Sequence, residues 1–282
     1  MTRYVVAGVD GSETSLAAAR WAAQEAARRK AALRLITVVP RQPARPHAVA
    51  GGERIEPWVE QRVESAAGDI GRGHPELDLV IRDIAGEPAG VLDDVGHGAG
   101  LLVLGTRGTG GFDGLRLGSV ALAVAGSATC PVALIAGAHA ARAPGREVVI
   151  GIDARHLDER ALEVAFEAAQ LRAVRLRAVH AWRLPTPYGL LLPAPEEDRA
   201  QWEDLEVRLL DDALRPWRGK YPEVTVVPDV RLHNPADALV RASAGVDLLV
   251  VGRGPRAAPY LGGVAHALAH HSRCPLLLAP RY

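Results

Sequence analysis

The densest chemical signal in the chain is a glycine-rich stretch, Gly105-Thr106-Arg107-Gly108-Thr109-Gly110-Gly111-Phe112-Asp113-Gly114-Leu115-Arg116-Leu117-Gly118-Ser119. Glycines allow the backbone to approach a phosphate closely, and Gly118-Ser119 opens a helix whose first N–H groups and dipole favour an anion. The Ser119 hydroxyl can donate to a phosphate oxygen, and Arg107 adds positive charge. A second candidate is Asp10, which follows the apolar run Val5-Val6-Ala7-Gly8-Val9. Its bland reading is the N-cap of the next helix, a role compatible with ligand binding. Together these residues suit a phosphorylated ligand.

The elements that must position them follow from hydrophobic periodicity. Residues 4–9, 33–39, 77–84, 101–104 and 131–136 read as strands, and 15–30, 58–70, 88–97 and 119–127 as helices. Ala18, Ala22 and Ala26 form a small-residue stripe suited to close packing on a sheet. Strands alternating with helices at this spacing imply a parallel sheet covered on both faces. In such a sheet a ligand binds outside the carboxyl ends of the strands where strand order reverses, and Asp10 and the loop from Gly105 are the two candidate strand ends in the first half.

The same pattern occurs twice. Val5-Val6-Ala7-Gly8-Val9-Asp10 aligns with Val148-Val149-Ile150-Gly151-Ile152-Asp153 at an offset of 143. Leu101-Leu102-Val103-Leu104-Gly105 aligns with Leu248-Leu249-Val250-Val251-Gly252 at 147, and Cys130-Pro131-Val132 with Cys274-Pro275-Leu276 at 144. The drift records a four-residue insertion in the second copy and a three-residue deletion between Gly252 and Cys274. Two domains are expected, 1–140 and 145–282, joined by a small, Pro/Gly-containing stretch at Ala136 to Arg146.

Composition narrows the class of function. Basic and acidic residues number 33 each, and both halves balance separately, so neither is a basic module for nucleic acid or a membrane surface. Lys30 and Lys220 are the only lysines, leaving few candidates for Schiff-base or phosphate-gripping chemistry. Two cysteines and no charged leader before an apolar run read as a cytoplasmic chain without a disulfide framework. The segment between Arg116 and Arg142 carries no charged residue, but Pro131 breaks it, and its counterpart holds Arg273 and three histidines. A membrane span is therefore not expected.

The loop pattern G-x2-G-x9-G-S, the opening Val6-Ala7-Gly8-Val9-Asp10-Gly11-Ser12 and the ending Cys130-Pro131-Val132 resemble the universal stress protein family. The resemblance covers both halves and is to the tandem, actinobacterial type. It implies two Rossmann-like α/β domains of the adenine nucleotide alpha hydrolase-like kind, each with five parallel strands ordered 3-2-1-4-5 and flanked by helices. It also implies ATP, with or without Mg2+, as the ligand. Carried over residue by residue, Gly8, Val9 and Asp10 would line the adenine and ribose side, with Asp10 accepting from a ribose hydroxyl or adenine. Val38 would pack on the adenine. Leu104, Gly105, Arg107, Gly108, Gly118, Ser119 and Val120 would wrap the ribose and phosphates. The family further suggests that the last strands of the halves pair edge to edge as an intramolecular pseudo-dimer, that chains form a homodimer, and that protein partners remain to be identified.

The second half departs from this pattern. Its loop is three residues shorter, Pro255 stands in the place of Gly108, Gly263 in that of Ser119, and Ala154-Arg155 in that of Gly11-Ser12. Nucleotide is therefore expected mainly or only in the first half, in a stress or regulatory protein rather than a dedicated enzyme. Two rivals stay open: a slow ATPase or nucleotidyl transferase, although no Walker lysine or pyrophosphate loop is present, and a scaffold that binds no nucleotide. His266, His270 and His271 read as surface or packing residues rather than metal ligands, because no third ligand is evident. Asp153 keeps a helix-capping reading, Cys130 and Cys274 a structural one, and Trp58, Trp202 and Trp217 read as core anchors. The Pro-rich stretches Pro40 to Pro57 and Leu184 to Pro195 lie near the presumed mouths as lids, partner surfaces or long loops.

Overall fold

A computed structural model describes residues 4–39, 55–108, 117–136, 147–184, 195–254 and 260–280. The linker and most of both Pro-rich stretches lie outside them, as do Thr109 to Arg116 and Pro255. The chain divides into two compact units, whose main bodies are Met1–Arg142 and Ala143–Pro255 with Gly262–Arg281.

In the first unit the order is β1 (Val5–Gly8), α1 (Glu13–Arg29), β2 (Leu33–Val39), α2 (Pro57–Gly73), β3 (Leu79–Ala85), α3 (Pro88–Gly96), β4 (Leu101–Gly105), α4 (Ser119–Ser127) and β5 (Val132–Ile135). The strands run parallel in the order β3-β2-β1-β4-β5. β1 and β4 are apolar along their whole length because both faces are covered. Val5, Val6, Ala7 and Leu101 to Leu104 are all buried. With right-handed crossovers, β1→β2→β3 moves one way along the sheet and β3→β4→β5 the other, which places α1 and α2 on one face and α3 and α4 on the opposite face. The observed α1–α2 and α3–α4 packing agrees.

Helix α1 lies close on the sheet because Ala18, Ala19, Ala22 and Ala26 present no bulk, and all four are fully buried. It ends at Lys30 in the left-handed region (φ 50°), whose N–H bonds back to the Ala26 and Ala27 carbonyls. Ala173 ends the corresponding helix of the second unit in the same way (φ 51°), so the repeat extends to the backbone torsion of a cap.

The second unit runs β6 (Glu147–Gly151), α5 (Glu159–Arg172), β7 (Arg175–Trp182), α6 (Glu196–Lys220), β8 (Val226–Leu232), α7 (Pro235–Ala242), β9 (Leu248–Gly252), α8 (Gly263–His271) and β10 (Leu276–Ala279). Its order, β10-β9-β6-β7-β8, is the topology of the first unit repeated. Phe166 anchors this core, stacked on Trp217 and Tyr221 at centroid distances of 5.7 and 5.2 Å. Among the described residues no helix is long and apolar enough to cross a membrane.

Candidate functional site

Strand order reverses between β1 and β4, and the two strand ends meet there. Gly8 pairs with Leu104 in register, and a Cβ on Gly8 would stand 2.7 Å from a Leu104 methyl. One step on, Asp10 turns toward the glycine loop. A Cβ on Gly108 would lie 2.5 Å from Asp10 Oδ2, so a side chain there would push the carboxylate off the loop backbone. Gly105 is as constrained: its Cβ would fall 2.8 Å from the backbone of Thr14 and Ser15 at the start of α1.

Asp10 is not the helix N-cap. Its Oδ1 accepts from the Ser12 N–H at 3.0 Å and from the Ser12 hydroxyl at 2.6 Å, and Ser12 itself caps α1 by accepting from the Ser15 N–H. The cap moves two residues on because Gly11, at φ 79°, turns the chain before helical geometry begins. Asp10 thereby keeps Oδ2 facing the loop. Thr14 donates its hydroxyl to the Arg107 carbonyl, pinning the glycine loop to the first turn of α1. Ser12, Thr14 and Ser15 are thus site-building residues that the sequence reading passed over. Their signal was the run of hydroxyl residues directly after Asp10-Gly11.

The far end of the loop closes on itself: the Gly118 N–H donates to the Thr106 carbonyl at 2.7 Å. Gly118 is the N-cap of α4 and carries no side-chain cap, and the first helical bond is Leu122 N–H to the Gly118 carbonyl. The N–H groups of Ser119, Val120 and Ala121 therefore have no intrahelical partner and form an anion-accepting terminus beside Arg107 and Gly108. Leu104, Gly105, Arg107 and Gly108 at the end of β4 meet Gly118, Ser119 and Val120 at the start of α4, near Gly8, Val9 and Asp10. Val38 stands on β2 two residues past Ile36, the partner of Gly8.

In the second unit the equivalent region is filled. Helix α5 begins a turn later than α1, with Asp158 rather than Asp153 as its N-cap, which corrects the capping expectation for Asp153. The Asp158 carboxylate packs against Gly252, a negative charge where the first unit has the backbone of Thr14 and Ser15. Asp153 instead accepts from the Arg155 N–H and lies 3.1 Å from the His156 ring. Burial works to raise its pKa, but those contacts hold the carboxyl below the usual aspartate range. The short loop keeps the closing bond, Gly262 N–H to the Arg253 carbonyl at 2.7 Å, but is pinched. Gly254 sits at φ 96°, and its Cβ would lie 2.9 Å from Gly262 Cα. Arg253, in the place of Thr106, is 1% exposed.

Three further replacements come together in this unit. Arg155 stands for Ser12, His180 for Thr37 and, counting back from the helix ends, Glu206 for Val59. Arg155 grips Glu206 with both terminal nitrogens at 2.7 and 2.6 Å. With its proton on Nε2, His180 donates to Glu206 Oε2 at 3.0 Å and accepts from the Ala154 N–H at 3.4 Å. Glu206 and His180 are 4% and 3% exposed. This bridge runs from the β6–α5 turn to α6 and occupies the space beside Asp153.

Trp58 is not a core anchor: its side of α2 is 46% exposed. Trp217 does pack in the core, and Cys130 and Cys274 are buried at equivalent positions. His266 and His270 stand 4.8 Å apart ring to ring, and among the described residues no group of three or more His, Cys, Asp or Glu could hold a metal.

Comparison with known proteins identifies the family and the fold. The family model described as "Universal stress protein family" matches residues 1–136 and again 145–280. A universal stress protein of Mycobacterium tuberculosis is 32% identical over 302 aligned residues, covering 98% of this chain and 94% of that protein. One from Mycobacterium bovis is 34% identical over 290, covering 98% and 96%. Among solved structures, a universal stress protein from Archaeoglobus fulgidus shares the fold at TM-score 0.66 and 15% identity, with both chains fully covered.

Proposed function

The chain belongs to the universal stress protein family, and from that premise we propose that it is an ATP-binding, nucleotide-responsive regulatory protein of the cytoplasm whose first unit holds the nucleotide. The observation that carries the reading is the meeting of the two strand ends, where the Asp10 carboxylate lies against Gly108 and the open N-terminus of α4 faces the same loop. A carboxylate accepts from ribose or adenine donors, and the N–H groups of glycine backbone and a helix N-terminus donate to phosphate oxygens. The residues fit a nucleotide: among the described residues, a Cβ on Gly118 would meet nothing closer than 3.6 Å, and the first N–H groups of α4 face the same side. Mg2+ would travel with the phosphates as their counter-ion, and the Asp10 carboxylate lies against Gly108 of the loop.

A second reading, a scaffold without nucleotide, is favoured for the second unit alone. There the pinched Gly254–Gly262 loop and the Arg155–Glu206–His180 bridge stand where a ligand would enter. The proposal includes a homodimer of chains, and it assigns binding rather than turnover.

Calorimetric titration of nucleotide-stripped protein with Mg-ATP tests it. The expected result is one site per chain. Two sites would show that the second unit still binds, and no heat would move the chain to the scaffold reading. Steady phosphate release from stoichiometric protein would favour an enzyme.

A further inference from the structure

We propose that Trp58 forms an aromatic wall of the first unit's site, on which the base of the bound nucleotide stacks. The inference rests on the nucleotide reading above and adds to it a residue that neither the loop pattern nor the strand ends point to.

Trp58 lies at the second position of α2, directly after Pro57, and its indole reaches back over the β1–α1 turn. A Cβ on Gly11 would stand 3.0 Å from the Trp58 ring atom Cζ3 and 3.3 Å from a Val59 methyl. Gly11 is the residue after Asp10, so the indole stands one residue from the carboxylate assigned to the ribose and adenine. Val59 is buried and fixes the start of α2 on that turn, while Trp58 is left 46% exposed. Covering the exposed indole face with another ring would remove its apolar area from water and add the geometry of an aromatic stack.

The second unit provides an internal control. Counting back from the ends of α2 and α6, Leu205 holds the position of Trp58 and is 48% exposed, nearly the same. The position is therefore open in both units, but only the first places an aromatic ring there. In the second, the adjacent residue is Glu206, which ties the turn down through Arg155 and His180. The unit with the open phosphate loop has the aromatic face, and the unit with the pinched loop has neither.

Four measurements test the assignment. Adding Mg-ATP to the whole chain should change tryptophan emission, and the change should be absent in Trp58→Leu, with Trp21, Trp182, Trp202 and Trp217 as the constant background. Trp58→Leu should weaken ATP roughly tenfold, within the range for losing one base–aromatic stack, and Trp58→Phe should restore most of the affinity. Inorganic triphosphate, which has no base, should bind the parent and Trp58→Leu alike. Melting curves of both variants should overlay the parent, because the side chain is half-exposed. If the parent binds ATP but Trp58→Leu binds it equally and emission does not move, the aromatic wall is wrong and the nucleotide reading stands. If the parent binds no nucleotide, both fall.

Discussion

Replacing Arg155 by Ser, the residue of the first copy, removes two charge-assisted hydrogen bonds of 2.6 and 2.7 Å from Glu206. Arg155 is close to half-exposed and regains water in the unfolded state, which discounts its own loss. Glu206 cannot compensate: its side chain is 5% exposed, and only His180 remains to hold its charge. Removing one partner of a buried pair costs more than the pair's net worth, because the other charge is left behind. Allowing for the exposed guanidinium, Arg155→Ser should destabilise the second unit by about 2–3 kcal/mol, or roughly 6–12 °C in Tm for a unit of this size. Glu206→Val, which installs the first copy's residue and leaves Arg155 free to reach water, should cost less. The double variant should cost less than the sum, with a coupling of about 2 kcal/mol. Denaturant melts of the four proteins give these values, and amide exchange of β6 and β7 localises them. A cost for Arg155→Ser below about 0.5 kcal/mol, or strict additivity, would refute the argument that this bridge closes the second unit's mouth.

Other expectations follow from the same geometry. Gly118→Val should be tolerated by the fold, because the nearest atom is 3.6 Å from its Cβ. It should nevertheless abolish ATP binding in calorimetry, as should Asp10→Ala, whereas Gly262→Val should leave binding unchanged. Gly105→Ala drives a methyl against the Thr14 and Ser15 backbone and should cost about 1–3 kcal/mol in melts, more than Gly252→Ala, which meets only the movable Asp158 side chain. Burial works to raise the Glu147 pKa, but Arg175 and Arg177 hold it below the usual 4.5. Its stabilising contribution is therefore present above that value and lost as pH falls through the folded pKa. Glu147→Gln should be about 1–2 kcal/mol less stable at pH 7, with the gap closing in acid. Lys30→Gly relieves a left-handed non-glycine residue and should stabilise the first unit by about 1 kcal/mol in the same melts.

The tandem repeat, the strand and helix alternation and the glycine loop are local patterns, and the sequence by itself determined them. Helix α4 spans 119–127 as its spacing required, and the two glycine-bounded strand ends were legible at Asp10 and Gly105. The substitutions that degrade the second copy were legible too, because repeat alignment compares residues position by position. What only the tertiary structure decided is which side chains meet across that alignment. Asp10 yields the cap to Ser12 because Gly11 turns the backbone through positive φ, a torsion that residue identity permits but does not dictate. Thr14 reaches the Arg107 carbonyl across 93 residues of chain, and Arg155, His180 and Glu206 meet from a turn, a strand and a helix. Trp58 has the composition of a core residue, yet its indole lies over the β1–α1 turn beside Gly11 and stays 46% exposed, while the neighbouring Val59 is buried there. Periodicity assigns a residue to an element, but the rotation and reach of that element over its neighbours depend on packing between segments far apart in sequence.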